Sequence, residues 1–464
     1  MQVALSISGG GYRALLTGAG IIQGFDERDS SVSTSGLYQG LTYQAALSGG
    51  GWLLSSMAGN NFPTITYLKD TFWKQAFLDS IFDPDSLLAP IAFIDITEDV
   101  VEKEAAGFPT TITDPWGRLL SYQLLPGSDG GAGITLSSVT KLSNFTTHAV
   151  PYPILLSQGV KTWLGECAPL ANASTYELTP YEFGSWDNDI SAFTPTQYLG
   201  TSLYDGLPTG SCTVNLDNLG FVLGTSSNVF SEVCISAPDP DSGVSTITKT
   251  VIDILDEVHE ILTSDLYAEY RNPFFGYRSP TGFVNSANNI SAQSTLSLTD
   301  GGISGQDNPI FPFLLPARNV SALIVNDNSG DSNNYPDGAS MVATYVQSFN
   351  HNYTRMPFIP PVTTFVAEGL NKRATFFGCD DPSKVTIVYL PNTNFTFSSN
   401  VEILQLEYSE SETDAMIANG VQVADQGGEA GWGTCLGCAL MMNTGQALPT
   451  ACTTCFQKYC YYNS

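Results

Sequence analysis

Apolar runs broken by glycine turns dominate the opening of the chain. Val3-Ala4-Leu5-Ser6-Ile7-Ser8 is a short apolar run, Gly9-Gly10-Gly11-Tyr12-Arg13-Ala14 follows it, and Leu15 to Ile22 is apolar and rich in small residues. This order predicts a buried strand, a tight turn and a helix packed on a sheet. The pattern then repeats: Leu41 to Leu47 reads as a strand, Ser48-Gly49-Gly50-Gly51 as a turn, and Trp52 to Ala58 as a helix. Two such units in succession predict an α/β layer. Residues 62–135 read as mainly helical, and residues 136–240 are richer in Pro, Gly and β-branched residues. From Val251 to Tyr270, Ile252, Leu255, Val258, Ile261 and Leu262 recur at helical spacing between acids, which predicts a half-exposed amphipathic helix packed on the surface, with proximity to lipid as the alternative. Thr295 to Thr299 alternates as a strand and runs into Asp300-Gly301-Gly302; further strands are expected at Val320 to Val325, at Thr386 to Leu390 and near Phe395. No internal repeat or linker interrupts the chain. The expected fold is a three-layer, doubly wound α/β sheet, one unit over 1–464, with helical and β cap segments inserted over roughly 62–290 and a Cys-rich end over 435–460.

Composition narrows the class. The chain has 464 residues, 42% of them hydrophobic, so a large core is available. Only 13% are charged, about half the usual share. With 17 Lys and Arg against 45 Asp and Glu, the net charge is −28. That argues against nucleic acid and against polybasic docking on anionic membranes, and it suits a soluble protein or one that works in acid. Of nine Cys, five form Cys435-x-x-Cys438 and Cys452-x-x-Cys455-x4-Cys460. Their spacing allows a zinc ribbon or a disulfide-tied end. Asn-x-Ser/Thr sequons at Asn144, Asn172, Asn289, Asn319, Asn352 and Asn394 favour disulfides in a glycosylated, secreted or cell-surface protein. Because Met1 stands almost directly before a core strand, a signal peptide is expected upstream of it. No run reaches the length of a transmembrane helix.

Four readings of the opening loop compete. Gly9-Gly10-Gly11-Tyr12-Arg13-Ala14 fits a dinucleotide fingerprint, but the next strand ends in Ser48-Gly49-Gly50 rather than the acid that would hold a ribose. A phosphate loop would need a Lys-Ser/Thr pair, which is absent. The glycines could serve packing alone. The last reading is an oxyanion hole, and it gains from Ser48: Ala46-Leu47-Ser48-Gly49-Gly50 nearly matches the nucleophile elbow, whose sharp turn demands small neighbours. Ser48 would need a base. The only His residues are His148, His259 and His351; His259 lies among acids, and the other two lie close to sequons, which suggests the surface. Asp300, at a strand end before two glycines, is the better candidate, and partial burial would raise its pKa toward a useful range. An ordinary Asp-Gly-Gly turn is the alternative.

Taken together, Ser8 to Ala14, the elbow at Ser48 and Asp300-Gly301-Gly302 resemble the fungal lysophospholipase, or phospholipase B, family, which shares a catalytic module with the group IV cytosolic phospholipases. Asp114 to Leu124, Tyr181 to Asp187, Gly220 to Ser227, Asn326-Asp327-Asn328-Ser329 and Cys435 to Cys438 resemble family blocks in the same order. The resemblance implies a Ser48–Asp300 dyad, an oxyanion hole at the Gly10 and Gly11 N–H groups, and Arg13 on the substrate phosphate. It implies an acyl-enzyme resolved by water or by a second lysophospholipid, acting on lipids in micelles or membranes, with no metal and no cofactor. Three positions depart from the pattern: Ala46 for glycine, Gly51 where serine is frequent, and Gln306-Asp307-Asn308-Pro309, in which the Asn is displaced by one. The alternatives are an acyl hydrolase or transacylase for other lipids, a non-catalytic glycoprotein that keeps the fold, and a nucleotide-binding module.

Overall fold

A computed structural model of the chain describes residues 1–82, 91–234, 266–278 and 290–463. The expected first strand is β1 (Gln2–Ile7), and the second unit opens with β2 (Tyr43–Ala46). Then follow β3 (Tyr152–Val160), β4 (Thr175–Leu178), β5 (Glu182–Ser185) and β6 (Ala192–Pro195). A small hairpin, β7 (Leu203–Tyr204) and β8 (Leu207–Pro208), stands apart. β9 (Ala268–Arg271), β10 (Thr295–Thr299), β11 (Val320–Asp327), β12 (Thr375–Phe377) and β13 (Thr386–Pro391) complete the strands.

Eleven of these strands form one mixed sheet, in the order β12-β13-β11-β1-β2-β3-β4-β5-β6, with β10 on β3 and β9 on β10. The strands from β13 to β3 are parallel to their neighbours, and the flanks are antiparallel. Parallel strands must be covered on both faces, and the side chains of β1 show that they are. Val3, Leu5 and Ile7 share a buried cluster with Leu15, Leu16 and Ile22. Ala4 turns to the other face and shares a cluster with Leu323, Val325, Phe313 and Met341.

The first face carries α1 (Gly11–Phe25) and α2 (Ser48–Gly59). The longer helices that follow are α3 (Ala92–Ala105), α4 (Thr113–Leu124), α5 (Leu219–Ser226), α6 (Ala339–Asn350) and α7 (Glu410–Asp425). α7 crosses α1 at a glycine pair: a Cβ on Gly20 would lie 2.1 Å from the Ile417 carbonyl oxygen, and one on Gly420 would lie 2.3 Å from that of Thr17.

α8 (Trp432–Met441) and α9 (Ala451–Tyr459) close the chain. On a helix, C-x-x-C spacing puts both Cys on one face. Those faces meet, and disulfides join Cys435 to Cys455 and Cys438 to Cys452. Cys379–Cys460 ties this end to the strand β12 region, Cys167–Cys234 is a fourth bridge, and Cys212 is a free, exposed thiol. The two C-x-x-C pairs are therefore disulfide partners, and the zinc reading falls.

Two expectations change. The segment near Phe395 is irregular rather than a strand, and three of its N–H groups, those of Phe395, Thr396 and Phe397, donate instead to the Asn419 Oδ1. The helix expected over Val251 to Tyr270 lies outside the described residues up to 265, and its end is the strand β9. The expected α/β sheet is present, with a parallel core from β13 to β3, and antiparallel strands, β10 among them, are added at its flanks.

Candidate active site

The register of β3 explains how the site is assembled. β2 runs parallel to the first half of β3, with Ala46 opposite Leu155. β10 runs antiparallel to the second half, with Thr299 opposite Gln158. β4 holds the other edge of β3, so β2 and β10 share one edge and approach head-on. Ser48 and Asp300, just past the two strand ends, meet in the gap. Asp300 thus reaches Ser48 from the opposite direction to the parallel strands.

Ser48 is the first residue of α2 and has φ 52°, a left-handed conformation that side chains other than glycine rarely adopt. Leu47 before it is extended, at φ −137° and ψ 146°. The sharp reversal turns the hydroxyl out of the helix toward Asp300. The Ser48 N–H donates to the Ser226 Oγ at 3.2 Å, at the end of α5.

Asp300 is 3% exposed. Its Oδ1 accepts the Gly302 N–H at 2.8 Å, and its own N–H donates to the Asn228 carbonyl at 3.0 Å. Burial pushes its carboxyl up to about 6, against the nearby Ser48 hydroxyl and the Gly302 N–H, with Glu232 adding a smaller upward push. A carboxylate in that range is a competent base near neutral pH. His148 is exposed, and His259 lies outside the described residues. His351, expected at the surface, instead has a buried side chain, 6% exposed, with Nδ1 3.1 Å from the Asp187 Oδ1.

The glycine loop lies directly against Ser48. A Cβ on Gly9 would stand 3.2 Å from the Ser48 Cβ, and one on Gly49 only 2.5 Å from the Gly11 nitrogen, so α2 and the loop touch through bare backbone. Gly10 has φ 130°, which an L side chain would strain, and a Cβ there would meet the Asn328 carbonyl oxygen at 2.7 Å. The Gly9 N–H donates to the Asp307 carbonyl at 3.0 Å. Neither the Gly10 nor the Gly11 N–H has a partner among the described residues, and both lie at the N-terminus of α1, where a negative charge is favoured.

Arg13 is placed differently from a side chain open to phosphate. It is 2% exposed. Its Nε donates to the Asn328 carbonyl at 2.9 Å and its Nη1 to the Val401 carbonyl at 2.7 Å. Nη2 lies along Gly330, where a Cβ would come within 2.8 Å, and makes no hydrogen bond among the described residues. A cavity of about 510 Å³ lined by Lys103, Asp114, Arg118 and Phe221 lies beyond α5 and does not include Ser48.

Sequence reasoning missed Ser226, Asn228 and Asp307 as residues that touch the site. The first stood within the quoted Gly220 to Ser227 block, and the last within a noted departure, but neither signal carried a role. Of the sequons, Asn172, Asn319, Asn352 and Asn394 are exposed. Asn144 is half-buried, with Nδ2 donating to the Asn61 carbonyl at 2.7 Å, and Asn289 lies outside the described residues.

The family model described as "Lysophospholipase catalytic domain" matches residues 3–464. The chain is 39% identical to a lysophospholipase of Arthroderma benhamiae, over 99% of this chain and 75% of that protein. It is 38% identical to lysophospholipase 1 of Candida albicans, over 99% of this chain and 78% of that protein. In fold it is similar to human GIVD cytosolic phospholipase A2, with a TM-score of 0.72 at 16% identity, covering 95% of this chain and 63% of that one.

Proposed function

The chain belongs to the lysophospholipase catalytic-domain family and is a hydrolase of that class, and from that premise we propose that it cleaves the fatty acyl esters of lysophospholipids, and of diacyl phospholipids, through a Ser48–Asp300 dyad and an acyl-enzyme. The observation that carries this reading is the head-on meeting of β2 and β10, which brings Ser48 and the buried Asp300 carboxyl together beside two N–H groups that have no partner among the described residues.

In this reading Asp300 accepts the Ser48 proton as Oγ attacks the ester carbonyl. The developing oxyanion is received by the Gly10 and Gly11 N–H groups, a contribution of about 3 kcal/mol per donor. Asp300 then passes the proton to the departing glycerol oxygen, and water, or a second lysophospholipid, resolves the acyl-enzyme. Pairing of Arg13 with the substrate phosphate would have to run through Nη2, because Nε and Nη1 are held by the Asn328 and Val401 carbonyls and the side chain is buried behind the loop. The whole of 1–464 acts as one catalytic unit. The protein is secreted or at the cell surface and carries N-linked glycans; the exposed sequons and four disulfides support this.

A fluorophosphonate carrying a fatty chain tests the nucleophile. After inhibition, peptide mass spectrometry is expected to find the adduct on Ser48 and none in Ser48→Ala. An adduct on another residue, with Ser48→Ala still labelled, overturns the assignment.

A further inference from the structure

We propose that Asp307 is a positioning residue for this site and sets the alkaline limit of the reaction: the glycine loop receives an oxyanion while the Asp307 carboxyl is protonated and resists one when it is ionised. The proposal rests on the Ser48–Asp300 reading above.

Asp307 is tied to the glycine loop and lies beside the Asp300 turn. Its carbonyl holds the Gly9 N–H at 3.0 Å, next to the two oxyanion donors. Its side chain turns back on the same loop. A Cβ on Gly9 would lie 3.6 Å from the Asp307 Oδ1 and 3.8 Å from the Ser48 Oγ, so acid and hydroxyl flank one bare α-carbon. A Cβ on Gly302 would lie 2.7 Å from the Asp307 Oδ1 and 3.3 Å from the Asp300 Oδ1, so both carboxyls converge over another. An oxyanion at the Gly10 and Gly11 N–H groups would therefore form beside two carboxyls, of which the dyad uses one.

The surroundings favour a proton on Asp307. Its Oδ2 accepts from the Ser340 Oγ at 2.9 Å, at the start of α6, and that hydroxyl also lies 3.3 Å from the Asp331 Oδ1. One hydroxyl proton cannot serve two carboxylates at once. The Asp307 Oδ1 has no donor among the described residues. The charged groups facing Asp307 are Asp300 from β10, Asp327 and Asp331 from β11 and the loop after it, and Arg13 from α1. Three of these four are acids. The guanidinium is committed to the Asn328 and Val401 carbonyls, and its influence is shared with Asp327 and Asp331. Burial, and then the neighbouring acids, push the Asp307 carboxyl up to about 7, against the Ser340 hydrogen bond. As the pH rises the two neighbouring carboxyls titrate in two steps, and once both are ionised Asp307 carries its charge beside the oxyanion site.

The test is the pH profile of kcat/KM on a short-chain lysophosphatidylcholine kept below its micelle concentration, whose head group does not titrate in this range. Wild type is expected to give a bell, with an acid limb near 6 and an alkaline limb near 7. Asp307→Asn is expected to lose the alkaline limb, exceeding wild type by about thirtyfold at about pH 8.5, with the change in kcat rather than KM. Ser340→Ala removes a donor that favours the ionised carboxylate, so its alkaline limb is expected to move to higher pH. An alkaline limb that stays in place in both variants overturns the proposal, as does a uniform loss of rate at every pH. If Asp307→Asn does not fold, Ser340→Ala decides alone. Full activity in Asp300→Asn would instead overturn the dyad itself, whatever Asp307 does.

Discussion

Arg13 lies behind the glycine loop with two nitrogens on the carbonyls of Asn328 and Val401, so it holds two distant segments to the start of α1 as well as carrying a charge. Truncating it would leave two carbonyls without their donors and a hole among Asp307, Asp327 and Asp331. Each buried group left unpaired costs about 1–3 kcal/mol. Arg13→Ala is therefore expected to lower the melting temperature by several degrees, about 4 °C or more. If Nη2 also meets the substrate phosphate, kcat/KM on a lysophospholipid falls further than on a monoacylglycerol ester, which has no phosphate. Thermal melts and paired assays separate the two roles, and equal loss on both esters would confine Arg13 to the structural one. Ser48 shows the same dual character, because a left-handed backbone there is costly and persists only where packing enforces it.

Among the elements, β1, β10 and β13 stood out in the sequence because each is a continuous or alternating apolar run bounded by turn residues. The strand β3 did not, because Tyr152 to Val160 contains Pro153, Ser157, Gln158 and Gly159. Those polar positions exist because β3 runs beneath the site: Gln158 pairs with Thr299 and takes a hydrogen bond from the Ser304 hydroxyl. The position of Ser48 and Asp300 at strand ends was legible from Ser48-Gly49-Gly50 and Asp300-Gly301-Gly302. Their meeting was not, because it depends on β2 and β10 sharing one edge of β3, which local pattern does not encode. The helix α7 also went unread, although Ser409 and Glu412 form a capping box at its start. Its contact with α1 runs through Gly20 and Gly420, residues that weaken a helical pattern while allowing the close crossing. The Cys pairs were legible as a constraint and the sequons already favoured disulfides over zinc, but which Cys pairs with which needed the two helix faces to be seen together.

For the whole molecule, the acids near the site carry a consequence for stability. The carboxyls of Asp300 and Asp307 ordinarily titrate near 3.8 and are raised in the fold to about 6 and about 7, and Asp327 is raised by burial and by Asp331. Between those values the folded chain binds more protons than the unfolded one, so the slope of stability with pH is negative. The contribution is fully present below about 3.8 and is lost as the pH rises through about 6 and about 7. A net charge of −28 at pH 7 adds self-repulsion in the same direction. The melting temperature is therefore expected to be higher at about pH 5 than at about pH 8, with a difference of several degrees. Calorimetry across that range checks it, and a melting temperature that rises toward alkaline pH would contradict the buried-acid account.

The central claim is that a serine and an aspartate, brought together by two opposed strands, suffice to activate the nucleophile without a histidine. The most direct measurement is acyl release from lysophosphatidylcholine by wild type, Ser48→Ala and Asp300→Asn, each first shown to be folded. Both variants are expected to lose at least about a thousandfold in kcat with KM little changed, since each removes a group needed only as the reaction proceeds. Near-wild-type turnover by Asp300→Asn would contradict the account.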